Sequence, residues 1–275
     1  MSRASRPRVP FALLAFWFVR ILPAWIGIAL MIFWMQIAVS AIVHDNANVR
    51  TFLAFLEMLP SIVKTALGGD MLQAGNIAAL LTIGYQHPLV MFLLMVFAVG
   101  VPTGLLAGEV QRGTMELILS RPVTKTQVYL CACVLTLVGM FALVLVMFLG
   151  TVAAVRLYDF GEPIPLDLFW RIAVNAGLLS ATFAAFSLLI AASFARLYLA
   201  VGVSVAFLTL NYFIAITAQW WPALHFLRRA TLFYLIYYSD LWRGWPVRNM
   251  AILAAILVGA ALAGGLIWRR RDLPL

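Results

Sequence analysis

The sequence predicts an all-α integral membrane protein. Six helices cross the bilayer, short helices lie in the interface on the outer face, and one further helix sits on the cytoplasmic side between spans two and three. Three observations predict this class. Of the 275 residues 65% are hydrophobic and only 11% charged, whereas a soluble domain carries about a quarter charged residues. Six apolar runs reach the roughly 20 residues needed to span the hydrocarbon core: Ile21–Val43, Pro88–Ala107, Val128–Val155, Ile172–Ala195, Leu197–Thr217 and Asn249–Trp268. None of the six contains Asp, Glu or Lys, and none alternates polar with apolar residues. A barrel strand would alternate, so helix is the spanning form. The whole chain, residues 1–275, reads as one membrane domain.

The N-terminus imitates a signal peptide, with Arg3, Arg6 and Arg8 ahead of an apolar run. That run extends from Val9 to Val43, well beyond a signal h-region, and is read as a retained anchor. Within it, Pro10–Arg20 is expected as an interfacial helix, with Trp17 at headgroup depth and Pro23 bending the chain into the first span. In the following loop, Arg50, Glu57 and Lys64 recur every seven residues among apolar neighbours, the pattern of a helix lying in the interface.

Gly108–Thr126 is the polar interruption around which the chain is organised. Glu109, Arg112, Glu116 and Ser120 are spaced by three or four and predict one polar helical stripe. Leu106, Val110 and Leu117 are assigned to a docked face, with Gly113 leaving room between them. Ser120-Arg121-Pro122 ends this helix, because the residue before proline is pushed out of helical geometry. Thr124 and Gln127 then have the spacing of a capping box that opens span three. Spans four and five are separated by little more than Arg196, which predicts a tight hairpin. The last outer loop holds Trp220, Trp221, Tyr234, Tyr237, Tyr238, Trp242 and Trp245, an aromatic belt.

Charge placement sets orientation. With the N-terminus inside, eleven of the 19 basic residues fall on the cytoplasmic side and eight outside, and both chain ends are basic; both termini are therefore expected inside. The net charge of +9 follows the ends of the apolar runs rather than a basic domain, which argues against nucleic-acid binding. Cys131 and Cys133 lie two apart within a span and point to nearly opposite faces, so they predict neither a disulfide nor a metal pair. No metal or catalytic residues are expected. The chain has no phosphate-cradling G-x-x-x-x-G-K-[ST], no H-E-x-x-H and no G-x-S-x-G. An ion-driven transporter would place ionisable groups within its spans, but these spans carry neutral polar groups, of which Gln36, Asn175 and Asn211 are candidates for a translocation path.

The polar segment also carries a family likeness. Gly108, Glu109, Gly113, Thr114, Glu116, Leu117, Leu119, Ser120, Pro122 and Val123 form G-E-x-x-x-G-T-x-E-L-x-L-S-x-P-V. This resembles the signature of the ABC type-2 permease family, the membrane subunits of ATP-driven exporters. The end of the chain, Trp268-Arg269-Arg270-Arg271-Asp272-Leu273, is similar to the family's closing F-x-R-R-D-[LI], with tryptophan in place of phenylalanine. The resemblance implies an N-terminal elbow helix and a coupling helix that inserts into a separate ATPase subunit through Glu109, Arg112, Gly113, Thr114, Glu116, Leu117, Arg121 and Pro122. It implies that ATP and Mg are held by that ATPase, and that a second permease copy, or a related permease, pairs with this one among the membrane lipids. It places the chain in a bacterial inner membrane. A membrane anchor or sensor that recruits an ATPase or other partner is the alternative, and a secondary transporter a more distant one.

Overall fold

The computed structural model describes residues 10–45, 49, 51, 54, 58, 77–236 and 238–272, and every regular element among them is helical. The proposed interfacial helix around Arg50, Glu57 and Lys64 falls outside these residues. Six helices are long and apolar enough to cross a membrane. In chain order they are Phe11–Val43, a second span formed by Pro88–Leu105 with two short helices (Ile77–Leu81 and Ile83–Gln86) before it, Lys125–Leu157, Leu166–Ser193, Leu197–Trp220 and Val247–Arg270. The chain enters and leaves at the end of the bundle that carries residues 106–124, called the near end below.

The first span is longer than its sequence suggested. It runs unbroken from Phe11 through Pro23 to Val43, so the expected interfacial helix over Pro10–Arg20 is its first turns rather than a separate element. Pro23 removes one backbone donor but does not end the helix, since the flanking turns remain bonded. At 1.5 Å per residue, its 33 residues measure about 50 Å, against a hydrocarbon core of about 30 Å. The third span is equally long and packs along the first, with Trp25 Nε1 donating to the carbonyl of Gly139 at 2.9 Å.

The fourth span is the centre of the bundle. It packs against spans two, three, five and six, and its small residues (Ala173, Ala176, Ala181, Ala184 and Ala185 among them) are buried. Small side chains are what allow membrane helices to approach closely, because lipid supplies no hydrophobic drive for their association. Spans five and six lie outside this centre and have few fully buried residues.

At the far end the chain folds back on itself before span two. Tyr85 is buried, with its hydroxyl 2.5 Å from Thr151 Oγ1 of span three and its ring tilted against Phe169 of span four. The last far-end loop contains short helices at His225–Arg228 and Tyr238–Arg243, with 3-10 turns at Pro222–Leu224 and Leu232–Leu235. The aromatic residues of this loop whose surroundings are described divide between the interior and the surface. Phe233 packs on Phe183 and Tyr212, while Trp221 and Trp245 are exposed.

Candidate functional site

The near end has an apolar core of its own. Trp17 of span one, Leu105 and Leu106 at the end of span two, Met115, Tyr129 of span three, Leu188 and Ala191 of span four, and Trp268 of span six form one buried cluster. The segment between spans two and three is built over this cluster.

Span two ends at Leu105, and a short helix, Ala107–Gln111, follows after Leu106 (φ −105°, ψ −76°). Gly113 then takes up φ 73°, and a second short helix, Thr114–Leu119, begins. The segment is therefore two helices with a left-handed joint, not the single amphipathic helix that its spacing suggested. A Cβ on Gly113 would meet nothing within 4 Å. Gly113 is present for its backbone conformation, which an L side chain adopts only at a cost, and not to leave room for a neighbour.

The joint changes which residues face out. Glu109, read from the sequence as part of an exposed stripe, is 2% exposed. One of its carboxylate oxygens accepts from Arg20 of span one and from Arg112 at 2.9 Å, and the other accepts from the Thr114 hydroxyl. Thr114 also donates to the Glu109 carbonyl at 3.2 Å, which closes the joint around Gly113. A buried carboxylate is stable only when its charge and lone pairs are met, and here three side chains meet them. Leu117, assigned from the sequence to the docked face, is 69% exposed; Met115 takes the buried position instead. Glu116, Leu117, Arg121 and Pro122 form the exposed tip of the turn, and Arg112 and Gly113 are exposed beside it.

Two further sets of contacts tie the segment to the spans. Gln111 Oε1 accepts from the backbone N–H of Leu197 at 2.6 Å, so it caps span five, whose own N-cap residue Arg196 provides no side-chain cap. On the other side, Val123 N–H bonds to the Arg121 carbonyl at 2.6 Å in a tight turn. Thr124 and Gln127 then form the expected capping box of span three. The first turn of span three is in turn held by the end of span six. Trp268 Nε1 donates to the Lys125 carbonyl at 3.0 Å, and Lys125 Nζ donates to the Arg271 carbonyl at 2.8 Å. Arg271 Nη1 reaches the Ala192 carbonyl of span four at 2.9 Å. Gly264 makes this closeness possible, since a Cβ there would lie 2.4 Å from the Tyr129 hydroxyl and 2.9 Å from Leu189 Cα. Nothing in the local sequence announces Arg20, Gln111 or Lys125 as partners in these contacts. The signal that was available is the closing Trp-Arg-Arg-Arg motif, whose Trp268 and Arg271 turn out to be structural.

Comparison with known families decides what this arrangement belongs to. The family described as ABC-2 family transporter protein matches residues 54–226, which include the whole near-end segment and spans two to five. The chain belongs to the ABC-2 transporter family. No curated protein matches it. As an ABC-2 protein it is a multi-pass membrane permease.

The three neutral polar residues considered for a path through this ABC-2 permease are not brought together. Gln36 is buried in span one and donates from Nε2 to the Gly84 carbonyl at 2.9 Å, pinning the short helix before span two. Asn211 of span five bonds to the Phe207 carbonyl at 3.1 Å and accepts from Leu232 N–H at 3.2 Å, anchoring the far-end loop. Both have local structural partners. Asn175 of span four differs from them, being fully buried with neither amide atom hydrogen-bonded.

Proposed function

We propose that this permease is the membrane subunit of an ATP-driven exporter in a bacterial inner membrane, working with a second permease copy and with a separate ATPase that holds ATP and Mg. One observation carries the reading: a single short segment exposes Glu116, Leu117, Arg121 and Pro122 while its buried Glu109 is bonded to span one and its Gln111 to span five. An ATPase closing against the exposed tip would move three spans together, span two through chain continuity, span one through Arg20–Glu109 and span five through Gln111–Leu197. Such coupling requires the ATPase to contact the tip differently in its two nucleotide states. The tip combines an apolar side chain with charges of both signs, as an interface of this kind needs.

Co-purification tests the reading. The tagged chain, extracted from its native membrane, should bring with it a polypeptide that hydrolyses ATP, and reconstitution of the two should give transport-linked hydrolysis. Glu116→Lys and Leu117→Asp should each lower ATPase retention, a lost rim contact of about 1 kcal/mol corresponding to roughly fivefold. Their melting midpoints should stay at the parent value, since both side chains are solvent-exposed. Retention unchanged in both variants would remove the tip from the interface.

A further inference from the structure

At the far end, where the last loop enters span six, an open-sided cavity of about 320 Å³ is lined by Asp240, Arg243, Trp245, Val247, Arg248 and Asn249. Two guanidinium groups and one carboxylate leave it with an excess of positive charge. Arg243, Arg248 and Asp240 are exposed, and none of the ion pairs among the described residues includes them, so the donors of both guanidiniums face solvent. The first turn of span six adds to this. Pro246 is its N-cap and supplies no side-chain cap, and no acceptor meets the backbone N–H of Arg248 or Asn249. Fixed donors, a helix N-terminus and two unpaired arginines all favour an anion with several acceptor oxygens. The surroundings narrow the class further. Trp245 and Val247 beside the cavity are exposed, and span six continues from it as an apolar helix long enough to cross the membrane. The cavity thus sits where apolar surface gives way to polar, at headgroup depth for a bilayer around the bundle.

We propose that this cavity binds a phosphate group, that of an anionic membrane phospholipid seated beside span six, with Arg243 and Arg248 as its ligands. The site lies at the opposite end of the bundle from the near-end segment and does not depend on the proposed ATPase. It would give the far-end loop a lipid contact that fixes the position of span six in the bilayer.

The test uses the full chain in a mild neutral detergent. Native mass spectrometry would count retained phosphatidylglycerol and, as an uncharged control, diacylglycerol; a parallel arm would follow the melting midpoint in millimolar inorganic phosphate. The expected result is that R243Q/R248Q lowers phosphatidylglycerol retention by roughly tenfold and leaves diacylglycerol unchanged. R229Q, which removes an exposed arginine of the same loop outside the cavity, should retain lipid as the parent does. Should the double variant melt early by itself, R248Q alone carries the same comparison. A phosphate-induced rise in midpoint that disappears in R243Q/R248Q, with lipid retention unaffected, would keep the site and assign it to free phosphate. Identical behaviour of parent and double variant in both arms, or an equal loss in R229Q, would overturn the proposal.

Discussion

Arg20 and Glu109, 89 residues apart in sequence, form an ion pair that joins the first membrane helix to the turn between spans two and three. The pair is unequal, because Glu109 is enclosed while the Arg20 side chain is 43% exposed. Removing the carboxylate lets two arginines relax into water; removing an arginine leaves a buried charge short of a partner. We therefore expect Arg20→Ala and Arg112→Ala each to destabilise the permease by about 1–3 kcal/mol. Arg20→Gln combined with Glu109→Gln should cost less than the sum of the two single changes, with a coupling of at least about 0.5 kcal/mol. Melting midpoints of the four proteins in detergent check this, and strict additivity would show that the contact contributes nothing.

Gly113 separates a conformational from a steric requirement. A left-handed backbone costs an ordinary residue roughly 1–2 kcal/mol, and asparagine less. With open space around the position, Gly113→Ala and Gly113→Leu should therefore lower stability by the same amount, and Gly113→Asn by a smaller one. A leucine variant much worse than alanine, measured by membrane abundance and melting, would mean that a neighbour does pack there.

Gly264 should behave in the opposite way. Any Cβ is driven against Leu189 backbone as well as the Tyr129 hydroxyl, so Gly264→Ala must part spans four and six and break the Tyr129–Ala261 hydrogen bond, 2.8 Å long. A loss of about 2–3 kcal/mol is expected from overpacking of this kind. Gly265→Ala, where the added Cβ lies 3.2 Å from the edge of the Tyr129 ring, should be milder. Equal melting of the two variants would contradict the packing described.

Orientation has its own test, once Cys131 and Cys133 are replaced by alanine. Single cysteines at Glu116 and Arg121 should be protected from an impermeant thiol reagent in intact cells, while cysteines at Glu162 and Ala223 should be labelled. All four positions are exposed, so accessibility differs only by side of the membrane. Labelling at Glu116 would reverse the topology and with it the proposed ATPase contact.

What the sequence reveals here depends on how local the cause is. The spans are legible because twenty apolar residues leave few alternatives, and the Thr124–Gln127 box because a cap is set by residues three apart. The face assignment within 108–120 fails for a specific reason. Counting in threes and fours assumes one continuous helix, but Gly113 turns the chain midway, so Glu109 and Glu116 no longer share a face. The result is one glutamate buried and one exposed. The contacts of Arg20, Gln111 and Trp268 depend on how helices distant in sequence are placed beside one another. Spacing along the chain carries no record of that placement.

Asn175 gives the bundle a thermodynamic reason to leave the arrangement described. A buried amide with no hydrogen-bond partner is disfavoured by about 1–3 kcal/mol, and this one lies in the span that every neighbour packs against except the first. Any shift of spans that brought a hydrogen-bond partner to it would recover that energy, so the arrangement described carries a built-in opposing bias. Asn175→Leu removes the bias. The variant should melt at a higher temperature than its parent and, on the export function proposed above, transport more slowly, a protein made sturdier by being left in one position.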